Sequence, residues 1–254
     1  MISGCKSLAA FIRRTNRKGL PITRHAPAFS QAAILISRLI KNIPKGKDRF
    51  NAAKLITQEG QPISFAGECF NWMRTKEKKE EEDRIFSTEE ENELGGIIAN
   101  RIKTFSQEQP IYVQSPKDAP FLLYIWERWG SKEEVSQYIT KTIEENSHNA
   151  LELLKCYLPT SWGSEGGPHK GDFNREQYDA IIKVVEADVI FNALHKIYGS
   201  DLDSPQYDGN DDRPLDKRVA HQFAYVYHYV KAEEQKTTGQ KEEPKSNGKG
   251  DNGK

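Results

Sequence analysis

The densest gathering of reactive side chains lies between Ser161 and Asp172, where Ser161, Ser164, Glu165, His169 and Asp172 are interspersed with four glycines. A hydroxyl, an imidazole and a carboxylate are the parts of a nucleophilic hydrolase. No Gly-x-Ser-x-Gly elbow is present, however, and a glycine-rich loop alone does not hold a triad to catalytic geometry. The segment is therefore expected to be a surface connection, with an enzyme built on it as the weaker reading. The acidic stretch Asp201–Asp212 raises calcium chemistry, because Asp208, Asn210 and Asp212 have the alternation of an EF-hand loop. The sixth position, which must be glycine, is Arg213, and the twelfth, which must be a glutamate, is Val219. An EF-hand is excluded, and a looser divalent-ion site is the minor alternative. His221 and His228 share a helix face two turns apart, but a rise of roughly 10 Å between them is too long for one zinc ion. Aromatic packing among Phe223, Tyr225, Tyr227 and Tyr229 is the expected role of that face. Trp126 and Trp129 are likewise expected in a core rather than around a ligand.

Phosphate chemistry fails on spacing. Gly46-Lys47 is followed by Asp48, and Lys41 stands where a P-loop needs its first glycine. A Gly-x-Gly-x-x-Gly match at Gly248, Gly250 and Gly253 has no strand before it and no helix after it, and is read as chance. No catalytic, metal-binding or cofactor-binding residue is expected.

Charge is distributed more informatively. The chain has 37 basic and 37 acidic residues among 254, which excludes a generic polyanion binder. Residues 1–49 nonetheless carry eleven basic residues against one acid, Asp48, whereas residues 76–93 carry nine acids against four bases. Within 1–27, Lys6, Arg13, Arg14, Arg17, Lys18 and Arg24 are unopposed. Three roles fit this segment: a targeting peptide, a basic surface lying against another domain or a nucleic acid backbone, and a solvated arm. Its apolar patch, Leu8, Ala9, Phe11 and Ile12, is short, and Gly19-Leu20-Pro21 interrupts any helix. Arg13, Arg14, Arg17, Lys18 and Arg24 are the candidate partner-binding residues. Cys5, Cys69 and Cys156 form no close pair and are expected to be reduced thiols of a cytoplasmic protein. The longest apolar run, Ala32–Ile40, is interrupted by Ser37 and Arg38 and is too short for a membrane span.

The elements that must carry these residues read as helices. Apolar residues recur every three or four positions from Phe29 to Ile43, with Pro44 and Gly46 as the stop. Further helices are expected from Asp48 to Gly60 and from Pro62 through Trp72. A charged extension, Lys76–Arg84, follows. Ser87 with Glu90 fits a capping box opening a helix through Phe105, in which Gly95 and Gly96 permit close packing. The segment 107–120, with Pro110, Pro116 and Pro120, is the expected boundary between lobes, and Ile111-Tyr112-Val113 has the composition of a short strand. Phe121–Trp129 is apolar almost all around and suits a central buried helix capped at Gly130. Ser131 with Glu134 opens the next helix, and others follow to Pro159, over Phe173–Val185, Val189–Tyr198 and Leu215–Val230. From Glu233 the apolar residues disappear. The expectation is an all-α protein of about ten helices: a basic segment 1–27, a first helical lobe 28–106, a connection 107–120, a second helical lobe 121–232 and a disordered tail 233–254.

One resemblance rests on this order of segments. Leu8-Ala9-Ala10-Phe11-Ile12-Arg13-Arg14, the helix Phe29–Ile43, the Lys47-Asp48-Arg49-Phe50 start and the Phe121–Gly130 helix with its immediate capped successor together resemble the helical region after the ATPase core in KAP-type P-loop NTPases. The resemblance spans roughly residues 8–230 and rests on helix order and apolar patterning. Such proteins couple nucleotide state to a helical effector region, and bacterial members are associated with membranes and with defence against mobile genetic elements. Walker A and Walker B residues are absent, so no nucleotide-binding residue carries over. The resemblance implies a non-catalytic part whose partner is a P-loop ATPase domain, supplied separately through truncation or a split gene. The functional expectation is a helical interaction or regulatory module. A nucleic-acid-binding protein using the basic segment is the alternative.

Overall fold

A computed structural model describes residues 26–74, 84–162, 168–170, 172–205 and 213–239. The fold is all-α: eleven α-helices among the described residues, with one two-stranded antiparallel sheet of three-residue strands. Two compact units divide at Cys156 and Tyr157.

The first unit opens with α1 (Ala26–Lys41), which buries Ala33, Ile36 and Ile40, with Ile43 just beyond. Ser37, also buried, donates its hydroxyl to Ala33 O at 2.7 Å and Cys69 O at 3.1 Å, so the helix is tied to the backbone at Cys69 through a satisfied polar group. In the turn, Arg49 donates Nε to Ile43 O at 2.7 Å. α2 (Lys47–Glu59) and α3 (Ile63–Met73) pack on each other and on α1. Gly67 of α3 meets Ile125 so closely that a Cβ there would lie 3.0 Å from its Cδ1. Burial of Cys69 pushes its thiol well above the usual range.

α4 (Thr88–Phe105) begins with the expected reciprocal cap. Glu90 N donates to Ser87 Oγ at 3.2 Å, and Ser87 N donates to the Glu90 carboxylate at 3.0 Å. Replacing Ser87 with alanine should cost about 1 kcal/mol in urea denaturation. Ser131 behaves differently. It accepts from Glu134 N at 3.2 Å, but the Glu134 carboxylate turns instead to Lys103 Nζ (2.8 Å) and Trp126 Nε1 (3.4 Å), and both bonds hold its pKa below the usual carboxylate value.

The proline-containing segment 107–120 differs from its expected role as a boundary. Ile111-Tyr112-Val113 forms no strand but a single helical turn, α5 (Ile111–Gln114), closed by Gln114 N to Pro110 O at 3.0 Å and Ser115 N to Ile111 O at 2.8 Å. Three residues with no neighbouring strand have nowhere to place strand hydrogen bonds, whereas a turn satisfies them locally. Ile111 and Tyr112 are fully buried; Ile111 N donates to Tyr138 Oη at 2.8 Å, and Tyr112 Oη pairs with Thr142 Oγ1 at 2.5 Å. The segment is thus part of the first unit, which continues through α6 (Ala119–Trp129), α7 (Lys132–Glu145) and α8 (His148–Tyr157), so the lobes expected at 28–106 and 121–232 are not the observed units.

The second unit starts with strands β1 (Thr160–Trp162) and β2 (Pro168–Lys170), paired with Ser161 opposite His169. α9 (Arg175–Ile181) is capped at Asn174, whose side chain accepts from Glu176 N at 2.8 Å while Gln177 Oε1 accepts from Asn174 N at 3.1 Å. α10 (Ala187–Tyr198) ends at Gly199, where φ of +62° requires glycine, and leads into a 3₁₀ turn, Gly199–Leu202. α11 runs from Leu215 to Gly239. It therefore extends seven residues into the segment whose composition predicts a tail; residues 240–254 lie outside those described.

Phe173, Tyr178 and Phe223 form the aromatic centre of this unit, with ring centroids 5.7 and 5.5 Å apart. Desolvation, with the Glu234 charge adding to it, pushes the Tyr178 phenol up to about 12. An unfolded tyrosine titrates near 10, so the folded state holds this proton more tightly. Its contribution to stability is complete below pH about 10 and lost as pH rises through about 12. Alkaline titration followed by tyrosinate absorbance should show a late phase whose amplitude Tyr178→Phe lowers by one tyrosine, the phase persisting because burial raises Tyr112 further still.

Candidate functional site

Arg13, Arg14, Arg17, Lys18 and Arg24 lie outside the described residues. Among those described, Asp172 and His228 have clear packing and hydrogen-bond partners. Asp172, at the end of the Ser161–Asp172 loop, accepts from Gln222 Nε2 at 2.9 Å and lies 3.7 Å from Arg218 Nε. The buried Gln222 also accepts from Phe173 N at 2.8 Å. These contacts fasten the exit of the hairpin to α11. Ser164 and Glu165 lie outside the described residues, as do Asp208, Asn210 and Asp212. No group of three His, Cys, Asp or Glu residues among the described residues is arranged to hold a metal ion.

His228 sits in an aromatic and backbone setting. Its Nε2 is 2.9 Å from Leu202 O, and its ring lies 5.1 Å from that of Phe191. Phe191 in turn stacks on Tyr227 at 4.3 Å. Asp188 accepts from both Tyr227 Oη at 3.0 Å and Lys231 Nζ, and the lysine bond holds its carboxyl below the usual value. Packing therefore accounts for Phe223, Tyr227 and His228. Tyr225 and Tyr229 instead face solvent, 43% and 55% exposed, beside a shallow groove of about 320 Å³.

Two surfaces in the first unit stand out because their residue types are costly to leave in water. The first is on α1. Leu35 and Leu39, one turn apart, are 59% and 51% exposed, although the apolar periodicity of the helix counts them with its buried face. The basic Arg38 lies between them, and Lys41 closes the last turn.

The second surface joins the C-terminal ends of α3 and α6. Trp126 is buried as expected, but Trp129 is only half-buried. Its ring meets those of Phe70 and Tyr124 nearly at right angles, with centroids 4.8 and 6.4 Å apart. Beneath it is Gly95, where a Cβ would fall 2.2 Å from Trp129 Cδ1, so only glycine permits this approach. The Arg74 guanidinium lies 5.5 Å from the Trp129 ring and 6.0 Å from that of Tyr124; Arg128 lies 5.8 Å from Trp129. Tyr124 is 41% exposed, which corrects the expectation that α6 is buried almost all around. The pattern Tyr124-x-x-x-Arg128-Trp129 was available in the sequence, but the partner Arg74 comes from a different helix.

A basic notch of about 220 Å³ lies at the start of α2 and includes Gly46, Arg49 and Arg84. Arg49 donates to the Ile43 and Ile85 carbonyls, and Arg84 to Thr88 Oγ1 and the Glu91 carboxylate, so both guanidiniums brace the chain.

No described helix is long and apolar enough to cross a membrane. Comparison with protein-family models, curated proteins and solved structures finds no match to this chain.

Proposed function

We propose that this chain is a non-catalytic helical interaction or regulatory module that docks a protein partner through the exposed face of α1. The observation that carries this reading is the solvent exposure of Leu35 and Leu39 on a helix that buries Ala33, Ile36, Ser37 and Ile40. Full burial of a leucine is worth about 1.5–3 kcal/mol. Two half-exposed leucines together leave on the order of 2 kcal/mol to be gained from a complementary surface, by the same scale. Arg38 and Lys41 extend the basic character of residues 1–27 along this helix, which favours a partner surface of opposite charge. The resemblance to the helical region of KAP-type proteins makes a P-loop ATPase domain the candidate partner. Cys69 and Cys156 are not joined in a disulfide, in keeping with a reducing compartment such as the cytoplasm.

Co-expression with the products of flanking genes tests the reading. The wild-type chain should co-elute with one of them, and the double variant Leu35→Glu/Leu39→Glu should lose that association at least about tenfold with its helical circular dichroism unchanged. A folded wild-type chain that associates with none of them, or a double variant that binds as wild type, counts against it. Nucleic-acid binding through Arg13, Arg14, Arg17, Lys18 and Arg24 has a separate signature, an affinity for oligonucleotides that falls steeply with salt.

A further inference from the structure

The cluster of Arg74, Tyr124, Arg128 and Trp129 leaves two positive charges uncommitted. Arg74 Nε donates to Asn71 Oδ1 at 2.8 Å, but neither Arg74 nor Arg128 pairs with a carboxylate among the described residues. Both stand at helix C-termini, Arg74 as the C-cap of α3 and Arg128 in the last turn of α6. The partial negative charge of a helix end amounts to roughly half an elementary charge, so it steadies each guanidinium without neutralising it. The rings of Trp129 and Tyr124 orient the two guanidiniums further. A guanidinium lying against a ring keeps its N–H edge available for an anion in the plane of the fork. Arginine, tyrosine and tryptophan are also the residue types that dominate binding energy at protein interfaces.

We propose that this cluster is a docking site for a short acidic polypeptide segment, one that sets carboxylates on Arg74 and Arg128 and an apolar side chain on Tyr124. Charge complementarity carries the choice of partner: two forked cations match two carboxylates. A nucleic acid strand fits less well, because it needs a row of cations along its phosphates and several open ring faces. Here Trp129 rests on Gly95, and Tyr124 is the broadly exposed ring. The inference uses neither Leu35 nor Leu39 and stands apart from the α1 face.

Fluorescence anisotropy on the full chain provides the test. The probes are fluorescein-labelled dodecapeptides in which Glu alternates with Phe or Leu in different registers, the same peptides with Gln for Glu, and a twelve-nucleotide oligothymidylate. At least one Glu peptide should bind about tenfold or more tighter than its Gln counterpart and tighter than the oligonucleotide. The double variant Arg74→Gln/Arg128→Gln should lose about tenfold or more in that affinity. Arg74→Lys/Arg128→Lys should lose less, keeping the charge without the fork, and Tyr124→Ala should lose severalfold. Thermal unfolding of each variant checks that the fold survives, and Leu35→Glu/Leu39→Glu should leave peptide affinity unchanged. The proposal is overturned by equal affinity for Glu and Gln peptides, by tighter binding of the oligonucleotide, by wild-type affinity in the Gln double variant, or by no peptide binding at millimolar concentration.

Discussion

Replacing Gly95 with alanine lowers the stability of the first unit by about 2–3 kcal/mol, through overpacking, whereas the same change at Gly96 raises it by roughly 1 kcal/mol, through helix propensity. The two positions are adjacent in α4 and differ in their surroundings. A Cβ at 95 falls 2.2 Å from Trp129 Cδ1, 2.3 Å from Cγ and 2.6 Å from Nε1, inside van der Waals distance of a rigid indole. That indole cannot swing aside cheaply, since Phe70 and Tyr124 pack nearly perpendicular to it and two guanidiniums lie against it. At Gly96 no atom lies within 4 Å of a new Cβ, and only the entropic cost of glycine in a helix is removed. Urea denaturation of both variants is the measurement. Adding Trp129→Leu to Gly95→Ala should recover part of the loss, giving a coupling energy that a propensity effect alone cannot produce. A Gly95→Ala protein as stable as wild type would show that α4 and α6 do not approach so closely. Because Trp129 anchors the arginine–aromatic surface, the same change should also weaken acidic-peptide binding.

The second large effect is expected at Arg101. Its guanidinium donates Nη1 to Thr57 O at 2.5 Å and Nη2 to Gly60 O at 2.9 Å, serving carbonyls at the end of α2 that lack partners within their own helix. Gly60 caps the same end, and a Cβ there would lie 2.6 Å from Ile56 O. Arg101→Met keeps most of the packing of the stem but removes every donor. Hydrogen bonds to a charged group are worth about 1.5–3 kcal/mol, and a loss of about 2–3 kcal/mol is expected. Arg101→Lys, with a single flexible ammonium, should fall between. Desolvation lowers the pKa of Arg101, but arginine remains charged at neutral pH, so the cap is present throughout the physiological range. Amide hydrogen exchange should localise the damage to the last turn of α2. Uniform loss of protection across the unit would instead indicate a global packing defect.

What the sequence makes legible depends on the range of the interaction. Ser87 and Glu90 satisfy one another within a single turn, so their spacing alone revealed the cap. The same inference at Ser131 was half right, because Glu134 has a better offer from Lys103 and Trp126, which only the tertiary fold brings near. Ile111-Tyr112-Val113 has the composition of a strand, yet it folds as a turn because its hydrogen-bond partners are local and its side chains are covered by α7 residues such as Tyr138 and Thr142. Leu35 and Leu39 fit the apolar periodicity of α1 and still lie outside its packed face, since periodicity describes a helix and not the width of its neighbours.

The sequence by itself therefore determined the all-α class, most helix starts and stops, and the uneven distribution of charge beneath a neutral total. These depend on contacts within one or two helical turns. Of the two glycines expected to permit close packing, only Gly95 does so, against the distant Trp129. Tertiary structure alone decided that the first unit runs unbroken to Cys156, that Leu35 and Leu39 stay in solvent, and that Arg74 joins Tyr124, Arg128 and Trp129. Those outcomes depend on which helices meet and how closely. The junction of α3 with α6, built over Gly95 of α4, brings together residues fifty positions apart whose chemistry no local spacing encodes.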